Sequence, residues 1–325
     1  MKALVTGGTG FVGSHLAEAL LGRGVEVRCL VRDPDDLKWL KGLDVELVKG
    51  DASDAGSLGG ACSGVEYVFH AAGITKAVRP SDYYKVNAEG TKNMAEAAER
   101  DASGLKKFVY VSSQAAAGPS VEGRPRKEDD APAPVTDYGR SKLAGEQYAL
   151  QYMDRLPIVI VRPPSVYGPR DRDVYSLFKM ASRGFRPAFA GARLISVCYV
   201  GDLVDGLISA AFGDTESGDA YFVAYPKPYS WDEMGNAVAD ALGVKVVRVK
   251  IPIPALGVVA VFAELFCAVL GKPALLNRQK MAEIKQRYWV LDVTKAKEKL
   301  GFEAGCDFRA GAGLTAEWYR RQGWI

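Results

Sequence analysis

The amino-acid sequence predicts an α/β protein with a doubly wound parallel sheet and a smaller mixed α/β lobe. The first half of the 325 residues alternates short apolar runs with segments of helix length, a pattern typical of a parallel sheet covered on both faces. A glycine-rich turn follows the first apolar run. Asp51, Gly73 and the pair Ser112 and Ser113 follow three later runs. Because such sheets bind ligands at the carboxyl ends of their strands, we expect one site there.

Six apolar runs predict the strands of a Rossmann-type sheet, and three segments between them predict helices. The predicted strands are Lys2–Thr6, Val25–Val31, Val45–Lys49, Tyr67–Ala71, Lys107–Val111 and Ile158–Arg162. The predicted helices are Val12–Arg23, Tyr83–Arg100 and Tyr138–Met153. The stretch Gln114–Asp137 is rich in proline, glycine and charge, which predicts a mobile loop beside the site.

The second half predicts a smaller lobe that closes over the substrate. Ser230 and Glu233 have the spacing of a capping box, so we expect a helix that begins there and ends before Gly243. We predict a Rossmann domain of residues 1–164 with about 195–217, and a substrate-binding lobe of residues 165–194 and 218–325.

The composition argues against several classes of protein. Lys and Arg total 42 against 39 Asp and Glu, and the net charge of +3 is too small to indicate nucleic-acid binding. The five cysteines are scattered and only two histidines are present, so we expect neither a disulfide framework nor a metal centre. The glycine-rich turn begins at residue 6 and leaves no room for a signal peptide, which predicts a cytoplasmic location.

The glycine-rich turn, Thr6–Gly13, reads Thr-Gly-Gly-Thr-Gly-Phe-Val-Gly and lies between a predicted strand and a predicted helix. Missing side chains let the backbone approach a pyrophosphate, whose charge meets the free N–H groups at the helix N-terminus. The alternative is a tight turn with close packing only. With a strand before it and a helix after it, the turn predicts dinucleotide binding.

The end of the second strand predicts which dinucleotide is bound. An acid there would bind the ribose hydroxyls of NAD, whereas an arginine would accommodate the 2′-phosphate of NADP. Arg32 follows Val31, so NADP(H) is favoured; NAD(H) stays open because Asp33 comes one residue later. After the third strand, Asp51 is predicted either to accept a hydrogen bond from the adenine amino group or to cap the next helix.

Tyr138 and Lys142 are four residues apart in a predicted helix and therefore share one face. A nearby ammonium lowers the pKa of a phenol, usually about 10, which would make Tyr138 an acid–base group. Lys142 could also hold the nicotinamide ribose. Ser112 and Ser113 end a predicted strand, where a hydroxyl could orient a substrate oxygen, and we favour Ser113. Together with the glycine turn, these residues predict nicotinamide redox chemistry on a hydroxyl or a ketone.

The motifs resemble those of the extended short-chain dehydrogenase/reductase family, also called the NAD-dependent epimerase/dehydratase family. The matching segments are TGGTGFVG at 6–13, GD at 50–51, HAAG at 70–73, VNAEGT at 86–91, YVSS at 110–113, YGRSK at 138–142 and RPPSVYGPR at 162–170. The resemblance implies a catalytic triad of Ser113, Tyr138 and Lys142, with Asn87 supporting the nearby helix. The predicted cofactor-binding residues are Gly7, Thr9, Gly10, Phe11, Val12, Arg32, Asp51, Ala52, Ala71, Ala72, Gly73, Ser112, Tyr138, Lys142, Pro164, Ser165 and Val166.

Departures from the family's pattern narrow the activity. Ser165 stands where nucleotide-sugar enzymes usually have Asn, which weakens an epimerase assignment. Gln114 and Ala115 replace the Asp-Glu pair of sugar dehydratases, so the acid and base for water elimination are missing. Segments 29–36 and 198–211 look instead like the branch of 3β-hydroxysteroid dehydrogenases and dihydroflavonol-type reductases.

The stretch Ile251–Gly271 is almost wholly apolar, interrupted by Pro252, Pro254 and Glu264. It is too interrupted to predict a membrane span, which needs about 20 apolar residues. Three interpretations stay open: a packed helix of the small lobe, a wall for an apolar substrate, or membrane-surface contact through residues 251–287, where basic residues follow. The family resemblance also implies a homodimer.

These observations predict an NADP(H)-preferring oxidoreductase that interconverts a secondary alcohol and a ketone on a largely apolar small molecule. A nucleotide-sugar 4-epimerase with the same triad is one alternative. A non-catalytic dinucleotide-binding sensor is the other, although an intact Ser-Tyr-Lys set has no use in a sensor.

Overall fold

The computed structural model of the protein describes residues 1–274 and 276–325. Its strands are β1 (Lys2–Thr6), β2 (Glu26–Val31), β3 (Glu46–Lys49), β4 (Tyr67–His70), β5 (Lys107–Val111), β6 (Ile158–Arg162), β7 (Ser165–Tyr167), β8 (Phe185–Ala188), β9 (Leu194–Ile195), β10 (Val197–Tyr199), β11 (Ala220–Phe222), β12 (Tyr229–Ser230), β13 (Val247–Lys250) and β14 (Tyr288–Trp289).

The α-helices alternate with these strands in the first half and dominate the second. They are α1 (Phe11–Leu21), α2 (Pro80–Tyr83), α3 (Gly90–Asp101), α4 (Gln114–Ala117), α5 (Asp137–Leu150), α6 (Tyr175–Ser182), α7 (Val200–Phe212), α8 (Trp231–Leu242), α9 (Ile253–Val269), α10 (Arg278–Lys285), α11 (Thr294–Leu300) and α12 (Phe308–Arg321). Short 3₁₀ turns at Lys38–Leu40 and Ala55–Leu58 and a π-helical segment at Tyr84–Glu89 complete the set.

The large sheet has seven strands in the order β11-β6-β5-β4-β1-β2-β3, all parallel. The doubly wound α/β fold is confirmed, and the six predicted strands agree with the observed ones to within one residue at each end. From β1 the chain proceeds outward through β2 and β3 on one side, and from β4 it proceeds outward through β5 and β6 on the other, so the strand order reverses between β1 and β4. The glycine turn after β1 therefore lies where ligands of such sheets bind.

Alternate side chains of each strand pack into two separate hydrophobic cores, one on each face of the sheet. On one face, Val5 packs with Leu16 of α1 and Leu207 of α7. On the other face, Leu4 packs with Met94 of α3 and Ala149 of α5. The period of two therefore buries both faces of every central strand, as a parallel sheet requires.

The smaller lobe is held together by an aromatic cluster beneath helices α6, α8 and α12. Tyr167, Phe178, Phe308 and Tyr319 are buried there, with ring centroids about 5 Å apart in the edge-to-face or tilted arrangements that aromatic pairs prefer. The predicted capping box is confirmed: Ser230 and Glu233 hydrogen-bond reciprocally at the start of α8, which ends before Gly243.

The structure differs from the prediction in three places. The single predicted helix Tyr83–Arg100 is split by its π-helical segment, whose wider turn places Asn87 between two other elements. The predicted mobile loop Gln114–Asp137 begins with α4 and is then anchored by the Arg126–Leu291 bridge and by hydrogen bonds to Tyr288 and Val290. The strand β11, which the predicted division assigns to the smaller lobe, pairs with β6 at the edge of the large sheet.

Within residues 1–274 and 276–325, no helix has both the length and the apolar character needed to cross a membrane.

Candidate active site

The glycine turn after β1 fits a pyrophosphate at the N-terminus of α1. Gly7 has a φ of +73°, and a Cβ on Gly7 would lie 2.9 Å from the backbone nitrogen of Ala72. A Cβ on Gly13 would lie 2.3 Å from the Gly7 carbonyl oxygen, so the turn needs glycine at both positions. Gly10 is the N-cap residue and supplies no side chain to the first turn of α1. The backbone N–H groups of that first turn are therefore free to bind an anion. The residues present fit a dinucleotide.

The end of β2 lies beside this turn, because Thr6 of β1 pairs with Leu30 of β2. Arg32 follows β2 directly and is exposed. It forms no salt bridge within the part of the chain that the structure describes, so its guanidinium is available to a ligand. The carboxylate of Asp33 instead accepts a hydrogen bond from the backbone nitrogen of Asp35, at 3.0 Å.

Asp51 and Ala52 follow β3 at the same edge of the sheet. The Asp51 carboxylate accepts hydrogen bonds from the backbone nitrogen and the hydroxyl of Ser53, both at 2.9 Å. The predicted alternative, that Asp51 caps the next helix, is wrong, because Asp54 provides the N-cap of the 3₁₀ turn. Ala52 is buried, and its carbonyl oxygen accepts a hydrogen bond from Asn93 at 2.9 Å.

Thr6 ties the glycine turn to the predicted cofactor residues after β4. Its hydroxyl oxygen accepts a hydrogen bond from the backbone nitrogen of Ala72 at 3.0 Å and is bonded to Nδ1 of His70 at 2.8 Å. Burial lowers the pKa of His70 to about 3, so this histidine is a neutral structural group at physiological pH. The segment Ala71–Gly73 is therefore held against the glycine turn, as the family resemblance implies.

Tyr138 is the second residue of α5, and the start of that helix is fixed by its neighbours. Thr136 accepts a hydrogen bond from the backbone nitrogen of Gly139 at 3.1 Å and so caps the helix. A Cβ on Gly139 would lie 2.3 Å from the carbonyl oxygen of Ala115. Glycine after Tyr138 therefore allows α5 to approach α4 closely and brings the tyrosine to Ser113, the residue before α4.

The pKa of Tyr138 is raised by burial to about 12, and a hydrogen bond with the Ser113 side chain opposes that rise. The charges of Glu283 and Asp173 and the nearby Tyr83 phenol raise the same pKa further. The prediction that Lys142 brings this pKa below its usual value is wrong for the protein without ligands. The rise in the pKa of Tyr138 caused by burial exceeds the lowering by the Ser113 hydrogen bond, so the phenol is neutral at physiological pH.

Lys142 lies beneath the site and is itself poorly solvated. Its Nζ donates a hydrogen bond to the carbonyl oxygen of Val111 at 2.7 Å and stands 4.3 Å from the ring centre of Tyr110. Burial lowers the pKa of Lys142 to about 7, and the charge of Glu146 opposes that change. A Cβ on Gly73 would lie 3.8 Å from the same Nζ, so the lysine borders the segment predicted to line the cofactor.

The two serines after β5 have different partners, which separates their roles. Ser112 is buried, and its hydroxyl donates a 2.5 Å hydrogen bond to the carboxylate of Glu146. Its hydroxyl is therefore occupied by a structural hydrogen bond, and cofactor binding by Ser112 stays a prediction that leaves only its backbone free for the contact. The Ser113 oxygen accepts a hydrogen bond from the backbone nitrogen of Ala115 at 3.1 Å, and its proton remains available to Tyr138 or to a substrate oxygen.

Asn87 joins the loop after Gly73 to helix α5, in agreement with the supporting role predicted for it. Its amide exchanges two hydrogen bonds with the backbone of Ile74, at 2.8 and 3.0 Å, and donates a third to Ser141 at 3.0 Å. Because Ser141 precedes Lys142, this amide holds both sides of the cleft at a fixed spacing.

The predicted cofactor turn after β6 is held at the same carboxyl edge. The carbonyl oxygen of Pro163 accepts a hydrogen bond from the backbone nitrogen of Gln114 at 2.8 Å. Pro164 is buried, Ser165 is exposed, and Val166 pairs with Cys198 in the small sheet of β7 and β10.

Two further groups contact this region and were missed by the sequence reasoning. Glu146 pairs with the buried Arg162 through hydrogen bonds of 2.7 and 2.9 Å. Its spacing of four residues from Lys142 was the available clue, since it places Glu146 on the same helix face. From α10, Gln279 accepts a hydrogen bond from the backbone nitrogen of Asp137 at 2.7 Å. The sequence separation of 142 residues offered no clue to this contact.

A separate cleft of about 550 Å³ lies beside the edge strand β11 and contains none of the predicted site residues. Its lining mixes Lys127, Glu128, Arg162 and Lys295, charges of both signs that already pair with protein groups in three of the four cases.

Comparisons with known proteins show which family this chain is similar to. The model of the NAD-dependent epimerase/dehydratase family matches residues 3–224, which include the glycine turn, the serines after β5, and α5. A ceramide reductase of Caulobacter vibrioides is 30% identical over 99% of this chain and 95% of its own length. A 3β-hydroxysteroid dehydrogenase/Δ5→4-isomerase of Mycobacterium tuberculosis is 30% identical over 93% of this chain and 86% of its own. The crystal structure of gox2253 superimposes with a TM-score of 0.82 at 29% identity, covering 99% of both chains.

Proposed function

The chain belongs to the NAD-dependent epimerase/dehydratase family, and we propose that it is an NADP(H)-preferring oxidoreductase acting between a secondary alcohol and a ketone. The observation that carries this proposal is the approach of Ser113 to Tyr138 at the carboxyl edge of the sheet. Lys142 and the glycine turn lie at the same edge. A hydroxyl pair beside a dinucleotide site is what proton transfer to a carbonyl oxygen requires.

Each side chain has one role in the proposed reaction. The bound nicotinamide dinucleotide supplies or accepts the hydride. Ser113 donates a hydrogen bond to the substrate oxygen and fixes its position. Tyr138 transfers its proton to that oxygen in reduction and takes it back in oxidation. Lys142 binds the nicotinamide ribose and returns a proton to the tyrosine through that contact.

The resting site is prepared for reduction of a ketone. Tyr138 has a pKa of about 12 and is therefore protonated at neutral pH. A neutral phenol can give its proton to the alkoxide that forms when hydride reaches a carbonyl carbon. The reverse reaction would first require removal of that proton from a buried group.

The proposed substrate is largely apolar. The names of two relatives refer to a ceramide and a hydroxysteroid, and both of these molecules are mostly hydrocarbon. An epimerase role has less support, because Ser165 offers a shorter side chain than Asn for a diphosphate. Dehydration has less support still, because Gln114 is buried and Ala115 has no acid–base group.

The NADP(H) preference rests on the exposed Arg32 at the end of β2. We expect Arg32→Asp to lower kcat/KM for NADPH by about tenfold or more, because one charge-assisted contact to a phosphate contributes about 1.5–3 kcal/mol. The value for NADH should hold or rise, since an acid at this place binds ribose hydroxyls. Arg183, exposed at the end of α6, provides the control as Arg183→Asp. Equal losses with both cofactors would show that Arg32 does not read the 2′-phosphate.

A substrate panel tests the activity itself. The purified chain should oxidise NADPH in the presence of steroid or long-chain ketones, and nucleoside-diphosphate sugars should not raise its melting temperature. Turnover of a nucleotide sugar, or tight cofactor binding with no reduction of any ketone, would overturn the proposal in favour of the epimerase or the sensor.

A further inference from the structure

Helix α9 exposes its large apolar side chains instead of burying them. Phe262 and Phe266 are 69% and 68% exposed. The other large apolar residues of this face are Val258, Val259, Val261 and Leu265, each between 41% and 60% exposed. These six form a continuous surface along one helix, which we call the α9 face. A contiguous apolar surface of this kind on a folded protein marks an interaction site.

The opposite side of α9 carries Ile253, Leu256 and Glu264, all half-buried, beside several small residues. Ala260 is fully buried, and Gly257 and Ala263 are half-buried. At 100° per residue, the α9 face occupies an arc of roughly 160° on the solvent side. The two phenylalanines, the largest side chains of α9, therefore point outward and not toward the protein. Core packing does not explain the size of those residues.

The contact of α9 with the rest of the chain is made mainly by α10. Glu264 of α9 forms a salt bridge with Arg278 of α10 at 3.0 Å, and Met281 of α10 lies opposite Gly257. Neither contact uses a residue of the α9 face. The two helices together form a hairpin whose outer surface is the α9 face.

Basic residues lie at the ends of both helices of the hairpin that carries the α9 face. Lys250 precedes the helix, Lys272 follows it, and Lys285 and Arg287 end the hairpin; all four are exposed. The two acids of the hairpin, Glu264 and Glu283, are already engaged with Arg278 and Lys280. An apolar stripe edged by unneutralised positive charge is complementary to an anionic lipid surface. A hydrophobic partner protein would not need this charge.

The dimensions fit a helix that lies on a bilayer. The 17 residues of α9 extend about 25 Å, less than the roughly 30 Å of a hydrocarbon core. The apolar stripe also covers only one side of the helix, which suits burial in the headgroup boundary.

The hairpin places this surface next to the candidate active site. Gln279 of α10 exchanges two hydrogen bonds with Asp137, the residue before Tyr138. Glu283, one turn further along α10, is close enough for its charge to act on the Tyr138 phenol. The α9–α10 hairpin therefore forms the layer between the α9 face and the reacting tyrosine.

We propose that the α9 face docks the enzyme on an anionic phospholipid bilayer, from which apolar ketones reach Tyr138. The docking needs no catalysis and stands by itself. Delivery of substrate from the lipid rests on the proposed function. The bilayer supplies what the α9 face lacks in the isolated chain, an apolar phase for Phe262 and Phe266 and an anionic headgroup layer for Lys272 and Lys285.

Flotation with vesicles tests the docking without reading turnover. The full chain should float with vesicles of phosphatidylcholine and phosphatidylglycerol, less with phosphatidylcholine alone, and less again at high salt. Phe262→Gln with Phe266→Gln should abolish flotation. Leu265→Gln and Leu314→Gln form a matched pair, because both leucines are at least half exposed on helices. Only Leu265→Gln should weaken binding.

A second readout separates this proposal from the proposed function. Reduction of a short, water-soluble ketone should be the same in the wild type and in the Phe262→Gln, Phe266→Gln variant, since neither residue belongs to the site. A wild type that reduces this ketone but never floats overturns the docking alone. A wild type that floats but reduces no ketone overturns the function and leaves the docking supported. A dimer in light scattering that the double variant dissociates would assign the α9 face to a second copy and overturn the docking.

Discussion

At the scale of single residues, Lys142 shows how far burial can lower the pKa of an ammonium group. The side chain is 4% exposed, and its ammonium has one backbone carbonyl as its direct hydrogen-bond partner. Glu146 lies one turn away on the same helix, but its carboxylate is bound by Arg162 and Ser112. The loss of hydration of the Lys142 ammonium is therefore largely uncompensated, and its pKa falls from 10.5 to about 7.

The lowered pKa of Lys142 predicts a pH dependence of stability. Between about pH 7 and pH 10.5 the unfolded chain binds a proton at this lysine that the folded chain does not. The contribution of Lys142 to the free energy of unfolding is therefore fully present above pH 10.5 and is lost as the pH falls to about 7. We expect the wild type to gain stability relative to Lys142→Met as the pH rises through this window.

Chemical denaturation of both proteins at several pH values measures this difference. The Lys142→Met variant contains every other titrating group, so subtraction isolates the lysine. A difference that stays constant from pH 7 to pH 10 would mean that Lys142 keeps its ordinary pKa in the folded protein.

At the scale of elements, the site depends on the close approach of α4 and α5. The N-terminus of α5 carries Tyr138, and the N-cap of α4 is Ser113. Gly139 makes their approach possible, because any Cβ there would overlap the Ala115 carbonyl oxygen. One missing side chain thus sets the distance between the two hydroxyls of the site.

Gly139→Ala should therefore destabilise the protein although alanine favours helix. Helix propensity alone would stabilise it by about 1 kcal/mol, and overpacking opposes this by about 1–3 kcal/mol. The matched change is Gly313→Ala in α12, where an added Cβ meets no atom within 4 Å. We expect Gly313→Ala to raise the melting temperature, and Gly139→Ala to lower both the melting temperature and kcat. Equal stabilisation by both changes would contradict the steric argument.

At the scale of the whole molecule, the sequence predicted the fold more completely than it predicted the site. Period-two burial on both faces made β1, β4, β5 and β6 visible, because parallel strands covered by helices read as apolar runs. Strand β11 escaped notice because it has only three residues and follows the long excursion into the smaller lobe. Short strands at the edge of a sheet carry too little pattern to be seen in one sequence.

The site was predictable where chemistry is local and not where it depends on contacts distant in sequence. Tyr138 and Lys142 share a helix, so their proximity follows from spacing. The pKa values of Tyr138 and Lys142 do not follow from this spacing, because burial by elements distant in sequence is the main cause of both shifts. The choice between Ser112 and Ser113 also needed the structure, which places only Ser112 against Glu146.

We propose that the Tyr138 phenol is the proton donor in nicotinamide-dependent ketone reduction. The most direct test compares Tyr138→Phe with Tyr148→Phe, a tyrosine on the same helix with no side-chain hydrogen bond within the described residues. We expect Tyr138→Phe to lower kcat by about 10²–10⁴-fold with the NADPH dissociation constant nearly unchanged, and Tyr148→Phe to behave as wild type. Wild-type turnover in Tyr138→Phe would contradict the mechanism.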